Sequence, residues 1–271
     1  MRTVQFELLR PDEIVEERKR CPIVFFPVGP LEWHGPHLPL GTDPLNAHST
    51  AIRVAKKTGG VVLPPLFLGT DIVRPKEKVK YIGFDENTRI YGMDFPENSM
   101  TSLYAHEEVF SIVVRQYFTL LVKQGYKLIV IVNGHGGLSE ISALKRLAEE
   151  FSHETDCRVI YTMALVDERG QSAGYGHANL METSIMMHLY NDCVDLSTLP
   201  PKDQPLKNTR WGIIDGDTFK GMPNEDFTVR DDPRDADSEL GKELIDKTVN
   251  TISKIVQINK EELNFNENRG G

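Results

Sequence analysis

Lys127-Leu-Ile-Val-Ile-Val132 is an unbroken run rich in β-branched residues, and Asn133-Gly-His-Gly-Gly137 follows it at once. A strand that is apolar at every position has no face to offer water, so it belongs inside a parallel sheet covered on both sides. Pro22-Ile-Val-Phe-Phe-Pro-Val28, ending at Gly29-Pro30, reads as a second buried strand, and Arg158-Val-Ile-Tyr-Thr-Met163 reads as a third. Helices are expected between and after them: residues 46–57, 139–151, from near His177 to Tyr190, and 237–259. A further helix is expected over 105–124, where Val109, Ile112, Val113, Tyr117, Leu120 and Leu121 recur at helical spacing and Gly125 supplies the stop. Strands alternating with helices, without internal repeat or low-complexity linker, predict one α/β domain over 1–271 around a mainly parallel sheet.

Two stretches fit this alternation less well. Val61–Leu68 reads as a strand region broken by Pro64 and Pro65, and the polar segment 71–98 is too long for a simple connection. Lys76, Lys78 and Lys80 with Glu77 suggest an exposed hairpin, or else a lid or subunit contact. Residues 200–235 lack periodicity and are expected to be irregular cover.

The charge balance narrows the partners. Lysine and arginine total 31 against 40 acidic residues, and a net charge of −9 argues against general binding of nucleic acid or anionic membrane. Small molecules, or further copies of the chain, are expected instead. Cys21, Cys157 and Cys193 have no paired spacing, which predicts buried structural thiols in a reducing compartment. The first residues carry no apolar targeting core, and no run reaches the ~20 apolar residues of a membrane span; a cytoplasmic protein is expected.

The chemistry concentrates in three segments. Gly29–Asp43 holds Glu32, His34, His37 and Asp43 among glycines and prolines, a composition that fixes side chains in place. Glu32 and His34 are two apart, so in extended backbone they point to one side. Asp43 also suits an N-cap for the helix at 46–57. His135 follows a strand end among glycines, and 174–184 adds His177 and Glu182. Their separation of five does not share a helical face, so His177 is expected before the first turn. Carboxylates with imidazoles form the donor set preferred by zinc, manganese or iron. Neither Gly-x-Gly continues as a dinucleotide fingerprint, and Ser184 lacks a nucleophile elbow.

Glu32-Trp-His-Gly-Pro-His-Leu-Pro-Leu-Gly-Thr-Asp43, Asn133-Gly-His-Gly-Gly137 and His177-Ala-Asn-Leu-Met-Glu-Thr-Ser184 resemble the signature segments of the creatininase (creatinine amidohydrolase) family. Phe95-Pro96 before Ser102-Leu103, and Asp232-Pro-Arg with Glu239 and Gly241, extend the resemblance from about residue 20 to 257. It implies a three-layer αβα sandwich, a homo-oligomer such as a hexamer, and two divalent metal ions (Zn, Mn or Fe) that serve hydrolysis of a non-peptide C–N bond in a small cyclic or linear amide. By the same resemblance Glu32, Asp43 and His135 would hold one metal, and His34 with the bridging Asp43 the other. His177 would transfer protons or orient the substrate, Glu182 would be the carboxylate partner at the same site, and Gly136, Gly137 and Tyr175 would face the substrate.

Two departures matter. Creatininase itself has a glutamate ligand two residues after the second-motif histidine, where this chain has Gly137, so the second metal has one protein ligand fewer. The tryptophans that surround creatinine there have no counterpart between Gly136 and Gly176, so creatinine is not the expected substrate. Formamide removal from a ribosylaminopyrimidine and peptide-modifying hydrolysis are the nearest alternatives within the family. A phosphate on the substrate would call on Arg74, Lys76, Lys78 or Arg210. A non-catalytic metal-binding scaffold is the alternative of another class.

Overall fold

The computed structural model describes residues 2–81, 84–95, 98–172, 176–204, 206, 208–209, 212–213 and 232–263. The two apolar runs become β1 (Ile23–Gly29) and β4 (Leu128–Asn133), both buried along their whole length. They pair in parallel, with β5 (Arg158–Met163) parallel on the far side of β4. On its other side β1 pairs in parallel with β2 (Val61–Val62) and then β3 (Leu66–Phe67), the two short strands left by Pro64 and Pro65.

Side-chain alternation explains why both central strands are apolar throughout. Ile23, Phe25, Leu128, Val130 and Val132 face one core, and Val24, Phe26, Val28, Ile129 and Ile131 face the other. Helices α2 (Thr42–Thr58), α6 (Leu180–Tyr190) and α7 (Ser238–Glu262) cover the first face. Helices α4 (Glu107–Gln124) and α5 (Leu138–Glu154) cover the second, with Ile14 of α1 (Pro11–Arg20) packed against the same core, completing a three-layer αβα sandwich. The five apolar side chains of β4 are all at 0% exposure; at about 1.5–3 kcal/mol each, their burial contributes on the order of 10 kcal/mol. Asn133, equally buried at the end of that strand, is the polar exception.

Parallel pairing also sets the place of function. Val28 lies opposite Asn133, so the loops that leave β1 at Gly29 and β4 at Gly134 emerge side by side at the carboxyl edge. That is where open α/β sheets bind ligands.

Several expectations are corrected. Helix α2 starts at Thr42, after Gly41, so Asp43 lies inside the first turn and does not cap it. The 105–124 helix exists, but it buries Phe110, Val114, Phe118 and Leu121, while Val109, Ile112, Tyr117 and Leu120 are 41–67% exposed. Apolar residues occupy both of its faces, and periodicity alone could not say which met the sheet. Lys76–Tyr81 is a short helix, α3, instead of a hairpin; Val79 is buried while Lys76, Lys78 and Lys80 are exposed. Helix α6 opens at Leu180 with the Asn179 side chain accepting from the Met181 and Glu182 N–H groups, which leaves His177 before it. Cys21 and Cys157 are buried but Cys193 is exposed. Of the 200–235 cover, the described part includes a two-residue antiparallel pair, Asn208–Thr209 with Gly212–Ile213; Arg210 lies outside the described residues. Among the described residues no helix is long and apolar enough to cross a membrane.

One contact ties the outer layer together. A Cβ at Gly241 of α7 would stand 1.9 Å from the Ser184 carbonyl oxygen of α6, so these helices touch backbone to backbone. Gly241→Ala, which would favour an isolated helix by about 1 kcal/mol, is expected to destabilise the protein by roughly 1–3 kcal/mol through overpacking. Urea unfolding against the exposed Glu243→Ala control checks this; a neutral or stabilised Gly241→Ala would show that α7 can back away from α6.

Candidate metal centre and active site

Asp43 sits in a notch between the ends of β1 and β4. A Cβ at Gly29 would lie 3.0 Å from the Asp43 Cβ, and one at Gly134 would lie 2.1 Å from the Asp43 carbonyl oxygen. Space requires glycine at 134 and leaves only a tight fit at 29, which lets the first turn of α2 approach the strand ends.

The carboxylate of Asp43 faces two ways. Its Oδ1 is 3.1 Å from His34 Nε2, and its Oδ2 is 3.1 Å from His135 Nδ1. On the His135 side Glu32 Oε2 stands 3.1 Å from the same Nδ1. On the His34 side Glu182 Oε2 is 4.0 Å from Nε2. The donor atoms of Glu32, Asp43 and His135 lie within 4.8 Å of one another, as do those of His34, Asp43 and Glu182, and of Glu32, His34 and His177.

Hydrogen bonds fix the ring orientations. His34 Nδ1 lies 3.0 Å from the Glu32 carbonyl, which assigns the proton of the neutral ring to Nδ1 and turns the Nε2 lone pair toward Asp43. His177 donates from Nε2 to the Trp33 carbonyl, leaving Nδ1 3.8 Å from Glu32 Oε2, and its ring stacks on His34 with centroids 4.2 Å apart. The neighbouring Ala178 holds φ +53°, a left-handed turn unusual for a side-chain-bearing residue, which sets His177 off the helix axis. His37, by contrast, is drawn away to the Thr183 hydroxyl at 2.9 Å and belongs to none of the three groups.

The electrostatics show what the cluster lacks. Burial would depress His34, but Asp43, then Glu182 and Glu32, outweigh it and raise the ring to about 10. Burial likewise opposes a charge on His135, and Glu32 and Asp43 overcome it and hold that ring well above its usual value. Glu182 is raised to about 7 by burial, and His177 is lowered to about 4 by burial and by the His34 charge. Among the described residues the ion pairs of Glu32, Asp43 and Glu182 are all with imidazoles. Protons on His34 and His135 thus supply the positive charge between the carboxylates. Divalent cations would supply it better, and the oxygen and nitrogen donors fit them.

Four further residues support the cluster: Asn133, from the second signature segment, and Tyr104, Asp71 and Glu140, which carry no sequence signal of a place in the site. Tyr104 donates to Glu32 Oε1, leaving Oε2 for the cluster. Asn133 brackets His135, accepting from its N–H at 2.9 Å and donating to its carbonyl at 2.8 Å. Asp71 and Glu140 stand behind His135, and Glu140 Oε2 accepts from the Thr70 N–H at 2.8 Å. Tyr104 and Asp71 lie far in sequence from Glu32 and His135, and Glu140, though near His135, reads as an ordinary residue of a helix, so only the fold reveals them.

A cavity of about 570 Å³ opens onto Glu32, Asp43, His135, His177 and Glu182. Gly136 and Gly137 line it, and Tyr175 lies outside the described residues. Ile72, Arg74 and Met93 from the 71–98 segment form part of the wall. Such a volume suits a small ligand.

Comparison with known proteins agrees with the geometry. The family model described as Creatininase, creatinine amidohydrolase, matches residues 7–256. The chain is similar to a 3-dehydro-scyllo-inosose hydrolase of Thermotoga maritima, 38% identical over 66 residues, covering 24% of this chain and 21% of that one. It is similar to the mycofactocin precursor peptide peptidase of Mycolicibacterium smegmatis, 29% identical over 64% of this chain and 60% of that protein, so the chain spans less than two thirds of either relative. A 2-amino-5-formylamino-6-ribosylaminopyrimidin-4(3H)-one 5'-monophosphate deformylase of Methanosphaera stadtmanae is 21% identical over 83% of this chain and 86% of its own length. In fold, a solved creatinine amidohydrolase (creatininase) superposes with a TM-score of 0.67 at 22% identity, covering 97% of this chain and 99% of that one. Creatininase structures of similar likeness include a manganese form and a zinc–zinc form.

Glu140 gives this site a measurable signature. Burial, partly offset by His135, raises its carboxyl to about 8, so near neutral pH in the metal-free protein it is largely protonated. The folded value lies above the ordinary one, so its stabilisation is complete below about 4.5 and is lost as pH rises toward 8. The stability of metal-free wild type relative to Glu140→Gln is therefore expected to fall between these limits, by up to about 1.4 kcal/mol per pH unit. Thermal melts of both proteins from pH 5 to 8 check it; a constant difference would show that Glu140 does not titrate there.

Proposed function

The chain belongs to the creatininase family, and on that premise we propose that it is a metal-dependent amidohydrolase acting on a C–N bond of a small cyclic or linear amide other than creatinine. The observation that carries this reading is Asp43, whose two carboxylate oxygens each stand 3.1 Å from a different imidazole. In this proposal Glu32, Asp43 and His135 would hold one divalent ion, and His34, Asp43 and Glu182 would hold the second, Glu182 standing in for the carboxylate that Gly137 lacks. Zinc and manganese are the first metals to test, since solved relatives carry them. Such ions supply polarisation of the amide carbonyl and activation of water.

The remaining roles belong to the chain itself. His177 is held by its Nε2 contact to the Trp33 carbonyl, so Nδ1 is its working nitrogen. Burial disfavours a charge on its ring, and a neutral His177 can accept a proton at Nδ1 and deliver it to the departing nitrogen. Gly136 and Gly137 leave the floor of the cavity without side chains, so the substrate can approach His135 closely. A substrate bearing an anionic group is the second reading: Arg74 stands in the cavity wall, whereas Lys76 and Lys78 lie exposed on α3. Self-association belongs to the same proposal, supported by Val109, Ile112 and Leu120 exposed together on α4.

Two measurements test these readings. His177→Ala is expected to keep the wild-type metal content and oligomeric state while turnover of a formamide, cyclic amide or acyl-amine panel falls by roughly 10²–10⁴. Wild-type protein loaded with either metal but inert on the whole panel would favour a scaffold. Ile112→Lys is expected to shift light scattering toward a smaller species with the melting temperature little changed; an unaltered assembly would remove α4 from the interface.

A further inference from the structure

Asp71 belongs to none of the three donor groups, yet it closes the back of the site. Its side chain is 6% exposed, Oδ1 accepts from the Ile72 N–H at 2.7 Å, and Oδ2 faces His135 Nε2 at 3.9 Å. That Nε2 is buried and has no hydrogen-bond partner among the described residues. On the opposite side of the ring, Nδ1 is 3.1 Å from both Glu32 and Asp43. An imidazole that ligates through one nitrogen carries its proton on the other, and a carboxylate on that side fixes the tautomer and strengthens the ligand.

Glycines keep the space for this pairing. A Cβ at Gly137 would lie 2.3 Å from His135 Nε2 and 3.0 Å from Asp71 Cγ. With φ −62° the backbone there suits any residue, so glycine at 137 answers a need for room and not for conformation. A Cβ at Gly92 would come within 2.8 Å of Asp71 Oδ2. From behind, Glu140 grips the Thr70 N–H and so holds the loop that presents Asp71.

We propose that Asp71 is the positioning residue for His135, its carboxylate keeping the ring proton on Nε2 and directing Nδ1 toward Glu32 and Asp43. This inference rests on the reading that His135 is a metal ligand. At 3.9 Å the contact is electrostatic and not a hydrogen bond, and its burial gives it more weight than it would have in water. Asp71 acts through His135, so its loss acts on metal retention before it acts on substrate.

The test uses the full chain with Asp71→Asn and Asp71→Ala, titrated with zinc against a competing chelator, with melting curves of the metal-free proteins alongside. Wild type is expected to bind two ions. In Asp71→Ala one of the two sites should weaken by roughly 10–100-fold, and in Asp71→Asn by less, with the near-isosteric Asn variant melting close to wild type. Excess zinc should restore turnover at unchanged KM, a rescue that a merely structural role would not give. Unchanged zinc affinity in both variants, or equal weakening of both sites with an unfolded Asn variant, overturns the role of Asp71 alone. A wild-type chain that binds no zinc and no manganese overturns this inference together with the proposed function.

Discussion

The structure depends on one electrostatic requirement: Glu32, Asp43 and Glu182 converge in a buried place where imidazoles are their ion-pair partners among the described residues. Burying ionised carboxylates costs several kcal/mol each unless positive charge accompanies them. The chain meets that requirement with convergence. Parallel pairing of β1 with β4 brings two loops to one edge, Gly29 and Gly134 admit the first turn of α2, and Asp43 reaches both imidazoles at once. A site so arranged is stable only with positive charge between its acids, so under the proposed function a bound cation would also stabilise the fold.

The central strands and the clustering of acids with imidazoles are legible in the sequence for the same reason: both leave local signatures. An unbroken apolar run fixes a buried parallel strand, and carboxylate, imidazole and glycine at short spacing betray a loop built to hold something. Asp43 suits both a helix cap and a polar cluster by residue type, and tertiary contact decides: it lies inside the first turn of α2 with its carboxylate against His34 and His135. The apolar residues of α4 were visible, but with two apolar faces the buried one depends on what it packs against. Asp71, Tyr104 and Glu140 were illegible because their partners are distant in sequence: Tyr104 meets Glu32 across 72 positions, and Thr70 meets Glu140 across 70.

The segment 71–104 now has a structural role. It begins at Asp71 behind His135, contributes Ile72, Arg74 and Met93 to the cavity wall, and ends at Tyr104 against Glu32. Gly92 lies at φ +44°, and a Cβ there would strike both the Tyr104 hydroxyl and the Asp71 carboxylate, so the two supports are packed through one residue. The same stretch that steadies the ligands shapes the cavity. Divergence of substrate within a fold that keeps its donor set would act through such a segment, since the wall can change while the acids cannot.

The two halves of the cluster are not alike, and the difference bears on how a dinuclear site would work here. Around His135 every donor is nearly inaccessible, with side-chain exposures of 1–5%, and each is held from behind by Tyr104, Asn133 or a backbone notch. Around His34 the third donor, Glu182, is 23% exposed, and its Oε2 is already engaged by the Ala178 N–H at 2.5 Å. A carboxylate that shares its oxygen with a strained turn is a weaker and more adjustable ligand than one locked on both sides. Under the proposed function, the Glu32–Asp43–His135 half is therefore the retained ion's site, and the His34–Asp43–Glu182 half is the one able to open toward substrate. His177 stacks on His34, so its proposed role in proton transfer would be played on the side of the more exposed Glu182.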